Sequence, residues 1–182
     1  MIALSITLLA QTGHDADVSC FSSLSGFPKD LDTVSPPPYP SSLSGVTLVY
    51  IESGCLGECP SFTMIIRSSG VEFEGHAYVK AKGKRKAKID SKALERFVHA
   101  WFDHKMYAMR DNYCMAQCPN GAEMIFLDRQ ESAINLTTPE FKKVVNECYR
   151  TWNGEPDAPK PPQQYYDLKA ELSAFAKSEG WI

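Results

Sequence analysis

The sequence predicts an α+β domain: an antiparallel sheet in the order β-β-β-α-β-β-α, with helices packed on one face and a further C-terminal helix linked through prolines. Three observations predict it. Between Val46 and Tyr78, three runs of strand-forming residues are joined by short turn-forming stretches. Joins that short connect antiparallel neighbours. Leu94, Phe97, Val98, Trp101 and Phe102 then repeat at helical spacing, and Phe141, Val144, Val145, Cys148, Tyr149 and Trp152 do so again.

Ahead of the domain, residues 1–10 (MIALSITLLA) are apolar and uncharged. They resemble the hydrophobic region of a secretory signal, without its basic leader, and Ala10 fits the position before cleavage at Gln11. Residues 11–45 are rich in Ser, Gly, Asp and Pro, and Pro36 to Pro40 reads as a polyproline-type tether. The domain proper is expected over 46–153. Residues 154–182 supply a proline-rich connector and the last helix, which carries Leu168, Leu172 and Phe175 on its apolar side.

Val46 to Ile51 is a β-rich run that suits a central strand. In the second strand Phe62, Met64 and Ile66 alternate with Thr63, Ile65 and Arg67. Ser68-Ser69-Gly70 is a turn signal. In the third strand Val71, Phe73, Gly75 and Ala77 alternate with Glu72, Glu74, His76 and Tyr78. Glu72, Glu74 and His76 share one face, a pattern open to a metal but better suited to the wet side of a one-sided sheet. Asp90 can cap the first helix. His99 and His104 fall off its apolar stripe. Ala122 to Asp128 and Ser132 to Leu136 read as strands. Thr138, with Pro139 after it, reads as the cap and first turn of a second helix, with Cys148 as a packed thiol on its buried face. Phe97, Trp101, Val144, Cys148 and Trp152 are the expected core between helices and sheet.

The most distinctive chemistry lies in Cys55-Leu56-Gly57-Glu58-Cys59-Pro60, whose spacing returns at Cys114 to Pro119. An extended chain would hold Cys55 and Cys59 roughly 13 Å apart. A disulfide needs Cα atoms about 4.4–6.8 Å apart. A hairpin loop turned at Gly57 would bring them together. Local bridges Cys55–Cys59 and Cys114–Cys118 are expected on this ground. A cross-bridge between the loops would close a longer loop, worth roughly 4 rather than 2 kcal/mol, but only if both loops meet at one end of the sheet. Two alternatives stay open: a domain stabilised by zinc on the four loop cysteines and a thiol–disulfide redox protein. Against the second, the spacing is not Cys-x-x-Cys and Glu58 is no help to a thiolate.

The overall charge is ordinary: −3 net, with a pI of about 5.8, exerts no general pull toward nucleic acid or membrane. One cluster departs from this. Lys80, Lys82, Lys84, Arg85, Lys86 and Lys88 crowd around Gly83. Lys82, Lys84, Arg85 and Lys86 are therefore the candidate anion-docking residues, against a plainer role as lysines that keep a sheet edge from aggregating. No aromatic interleaving points to single-stranded nucleic acid. No stretch is long enough to span a bilayer.

Gly54 to Gly75 resembles a bacterial domain-of-unknown-function family, number 6438. The resemblance is carried by Cys55, Gly57, Cys59, Pro60, Phe62, Gly70, Val71, Phe73 and Gly75, and extends over roughly 46–152. The second cysteine pair departs from the family pattern, which often has an Asp-x-Pro-like segment where this chain has Cys118-Pro119. The resemblance implies export and brings no activity or catalytic residues. The expectation is thus an exported, non-enzymatic binding or structural module held by disulfides. It has no cofactor, and its partner is an envelope protein or anionic polymer. No nucleophile–base pair or phosphate loop argues for an enzyme.

Overall fold

Alternation along the strands decides which side of the sheet is dry. The computed structural model describes residues 31–54, 57–113, 115–117, 123–125, 130–148 and 160–182. β1 (Thr47–Ser53), β2 (Ser61–Arg67), β3 (Gly70–Ala77) and β4 (Gly83–Ala87) form a meander, followed by α1 (Ser91–Asp103). β5 (Met115–Gln117) and β6 (Glu123–Ile125) pair with each other in a separate ladder. β7 (Gln130–Thr137) and β8 (Lys142–Cys148) return to the main sheet, and α2 (Gln163–Ser178) follows. The main sheet is antiparallel throughout, in the order β4-β3-β2-β1-β7-β8.

Across the register, Phe73, Met64, Tyr50, Ile134 and Val145 make one inward row, and Val71, Ile66, Leu48 and Leu136 make the next. All are buried. α1 lays Leu94, Phe97, Val98 and Trp101 on this face, and α2 adds Tyr165, Leu168, Leu172 and Ala176 to the same core. Each large apolar side chain so buried contributes about 1.5–3 kcal/mol. Asp90 caps α1 as expected, its carboxylate accepting from the Ala93 N–H at 2.7 Å. Glu72, Glu74 and His76 lie on the opposite, wet face.

The α+β class stands, with revisions to its elements. The strand expected over Ala122 to Asp128 is, in its described part, β6, paired with the unexpected β5 outside the main sheet. The basic cluster contributes a fourth strand, β4, before the first helix. The helix expected from Thr138 is a strand over its described part, β8. Thr138 uses the chemistry of a helix cap for another purpose. Its hydroxyl accepts from the N–H groups of Glu140 and Phe141 at 3.1 and 3.0 Å, and its own N–H donates to the Phe141 carbonyl at 2.8 Å. The result is a tight turn joining β7 to β8, with Pro139 at a turn position that favours it. Neighbouring β-branched Val144 and Val145 then suit a pleated strand. Their faces alternate, so Val145 is buried and Val144, expected in the core, is only half-buried on the wet face. The second helix of the layer is α2.

The two edges of the sheet are finished differently. Along β8, the segment through Asn112 lies as a short parallel strap: the Tyr113 N–H donates to Asn146 O, and the Asn146 N–H donates to Asp111 O, both at 3.0 Å. Lys143 Nζ holds the strap, reaching Met109 O at 2.6 Å and Asp111 Oδ1 at 2.5 Å. Among the described residues, β4 pairs with β3 alone.

Candidate functional site

β4 places the candidate cations. Lys82, Lys84, Arg85 and Lys86 are all exposed. Lys84 and Lys86 stand on the wet face opposite Glu74 and Glu72, and Arg85 stands on the helix side in register with Phe73. Lys86 Nζ is 3.5 Å from Glu72 Oε1, and Arg67 competes for the same carboxylate at 3.8 Å. Among the described residues no ion pair neutralises Lys82, Lys84 or Arg85. Arg85 Nη1 instead donates to the Lys84 carbonyl at 2.8 Å. Between β2, β3 and β4 lies a shallow depression of about 280 Å³, floored by Thr63 and Ile65 and walled by Glu72, Glu74, Lys84 and Lys86.

The connection into β4 is closely built. A Cβ at Gly75 would sit 2.1 Å from the Ala81 carbonyl oxygen, so only glycine lets the chain fold back there. Tyr78, which the alternation placed within the third strand, falls just beyond β3 with a left-handed backbone, φ 51°. Its side chain is the most exposed large apolar group among the described residues, at 58%. Ala81 N–H donates to the Trp181 carbonyl at 3.0 Å, and the Trp181 ring stacks on Phe73 with centroids 4.8 Å apart. The chain after α2 thus buttresses the connection.

A second constellation was not singled out from the sequence. Glu52, Ser132 and Glu147 form the polar end of the inward face, one each from β1, β7 and β8. α2 lowers Tyr165, Tyr166, Lys169 and Ser173 onto them. Lys169 Nζ lies 3.2 Å from Glu52 Oε1 and 3.4 Å from Glu147 Oε2. Ser132 Oγ donates to Glu147 Oε2 at 2.8 Å and meets Tyr165 OH at 2.8 Å. Tyr166 donates to Glu147 and Tyr50 donates to Glu52, each at 2.5 Å. Burial, opposed by Lys169 and the Tyr50 hydrogen bond, raises the Glu52 carboxyl above its usual range. Burial first, and then the charge of Glu52, pushes the Tyr50 phenol far above its ordinary value. Burial does the same to Tyr165. With each charge met inside the cluster, the constellation works as a polar tie between α2 and three strands. The signal for it was the period of two: Glu52 follows Leu48 and Tyr50 on the inward face.

The cysteine loops are partly described. Cys59 is disulfide-bonded, and it sits in the short link between β1 and β2. The readings of Cys55, Cys114 and Cys118, and hence of both pairings, lie outside the described residues. So do those of residues 1–30, Tyr149 and Trp152. For Cys148 only the backbone is described, opposite Gln130 at the same end of the sheet as the Cys59 link. Among the described residues no group of His, Cys, Asp and Glu is arranged to hold a metal ion, and no helix is long and apolar enough to cross a membrane.

The model of the family described as Domain of unknown function (DUF6438) matches residues 46–167. The chain belongs to this family. The DUF6438 match begins just before β1 and runs into α2, so it takes in the whole sheet, the basic edge, Cys59 and the strand side of the Lys169 cluster, but stops short of Lys169 and Ser173. No curated protein and no solved structure matches the chain.

Proposed function

We propose that this DUF6438 domain is a non-enzymatic binding module of an exported protein, held by local disulfides, and that its basic edge docks an anionic partner. The observation that carries the reading is the contrast in how charge is used. The buried ionisable groups are engaged by one another around Lys169, whereas Lys82, Lys84 and Arg85 stand exposed on an edge strand and the loop before it, without an ion pair among the described residues. A bonded Cys59 supports export, because disulfides persist in oxidising compartments.

The test measures binding of the full chain to polyglutamate and to an anionic polysaccharide as salt is raised. Binding that weakens with salt, and that falls at least tenfold in Lys84→Glu/Arg85→Glu/Lys86→Glu, supports the reading. Absence of binding to both polymers, or binding indifferent to the triple variant, overturns it. Peptide mapping of the unreduced protein tests the pairings: a 55–59 linked peptide supports local bridges, and four free thiols with bound zinc replaces them with a metal site.

A further inference from the structure

The edge that carries these cations is a β-strand whose outer side pairs with no other strand among the described residues. We infer that β4 takes an acidic, extended peptide segment as an added strand, with Tyr78 as its aromatic contact. This rests on the anion-docking reading above and narrows it to one class of partner and one geometry.

An edge strand offers a row of N–H and C=O groups on its free side, and an extended segment can pair with them. The protein covers its other edge with the strap at Asp111 to Tyr113, and among the described residues nothing does so at β4. Lysine on an edge excludes most strands. A second copy of β4 laid antiparallel would set Lys84, Arg85 and Lys86 against their own kind, and like charges directly opposite destabilise a ladder. The same residues favour one class of strand. Lys84 and Lys86 on the wet face and Arg85 on the helix side place a cation beside each of the three central positions of the incoming segment, on both faces. Acidic residues on both faces are the complement.

Tyr78 is an independent observation. A tyrosine with a left-handed backbone costs roughly 1–2 kcal/mol over an ordinary conformation. Here the strained residue also exposes its ring, in the connection that leads into β4. Burial in the core does not explain it. A contact made only on binding does, since exposed tyrosines beside cations are a common make-up of recognition surfaces.

The test uses the full chain and three eight-residue probes: an alternating Glu-Val peptide, the same peptide N-methylated at every second residue on its pairing side, and its Lys-Val counterpart. The inference expects the first to bind, the second to lose at least tenfold in affinity, and the third not to bind. Hydrogen exchange at the amides of residues 83–87 should slow when the first peptide is added. Tyr78→Ala should weaken binding severalfold without loss of the circular dichroism signal. Equal binding of the methylated and unmethylated peptides overturns strand addition and leaves simple charge docking in place. Polyglutamate binding with no binding of the Glu-Val peptide does the same. Failure of every anionic probe overturns both readings. Should the triple charge reversal fold poorly, Lys84→Gln/Arg85→Gln/Lys86→Gln removes the charge while keeping polar side chains and carries the same expectation at smaller size.

Discussion

β8 and β4 close opposite ends of one sheet and both carry lysines, yet they treat them in opposite ways. On β8, Lys143 is held by the Met109 carbonyl and Asp111, and Glu147 is held by Lys169, Ser132 and Tyr166. On β4, Lys84 and Arg85 have no acidic partner among the described residues. Lys143 and Glu147 on β8 are largely shielded from water and bear on stability, while Lys84, Arg85 and Lys86 on β4 are exposed.

The largest effect expected from this contrast is at Lys169. Lys169→Met leaves Glu52 and Glu147 facing each other without their shared cation, and breaking a buried pair this way costs about 3–5 kcal/mol. Urea denaturation should show it, and a loss below about 1 kcal/mol would remove the cluster from the account of stability. Next comes Lys143→Ala, which frees the strap along β8. A loss of about 1–3 kcal/mol is expected, from hydrogen bonds to a charged donor, with faster hydrogen exchange at Tyr113 and Asn146.

Glu52 gives the contrast a pH signature. Its carboxyl is harder to ionise in the folded protein than in the unfolded chain, chiefly through burial. The folded state therefore holds that proton more tightly. Stability from this group is complete below the ordinary carboxyl value of 4.5 and is lost as pH rises through the higher folded-state value. Glu52→Gln should flatten that decline, and an unchanged profile would place the pH dependence elsewhere. The smallest effects belong to β4. Lys84→Gln/Arg85→Gln/Lys86→Gln should change stability by no more than about 0.5 kcal/mol, as surface substitutions do. Tyr78→Gly should be neutral or stabilising by up to about 1 kcal/mol, because glycine accepts the left-handed backbone. A marked loss at either site would make β4 a structural edge.

Much of this was legible in the sequence. β1 to β3 and α1 follow from periods of 2 and 3.6 that no local signal contradicts, and the solvated face of Glu72, Glu74 and His76 follows from the same alternation. β8 was not legible, because Thr138-Pro139 opens a helix and a turn with the same hydroxyl and the same fixed φ. Adjacent Val144 and Val145 also satisfy both periods over so short a run. The cluster around Lys169 escaped because its members come from four elements and are ordinary surface residues until the sheet register aligns them. For the basic stretch, the charge is legible in the sequence, but not that the described chain straps the β8 edge and pairs nothing with the outer side of β4.

The hydrogen bond from Ala81 to Trp181 bears on the order of events in folding. β3 and β4 are near neighbours in the chain and can pair early, since short loops close fast. The connection between them is held from beneath by a residue far along the sequence, after α2. That contact closes only when the last helix docks, so it belongs to the slow, non-local class of events. A chain emerging residue by residue would thus form its hairpin before it could brace it. Until α2 docks, the basic edge lacks the backing of Trp181, and lysines on such an edge discourage pairing with other strands at that stage.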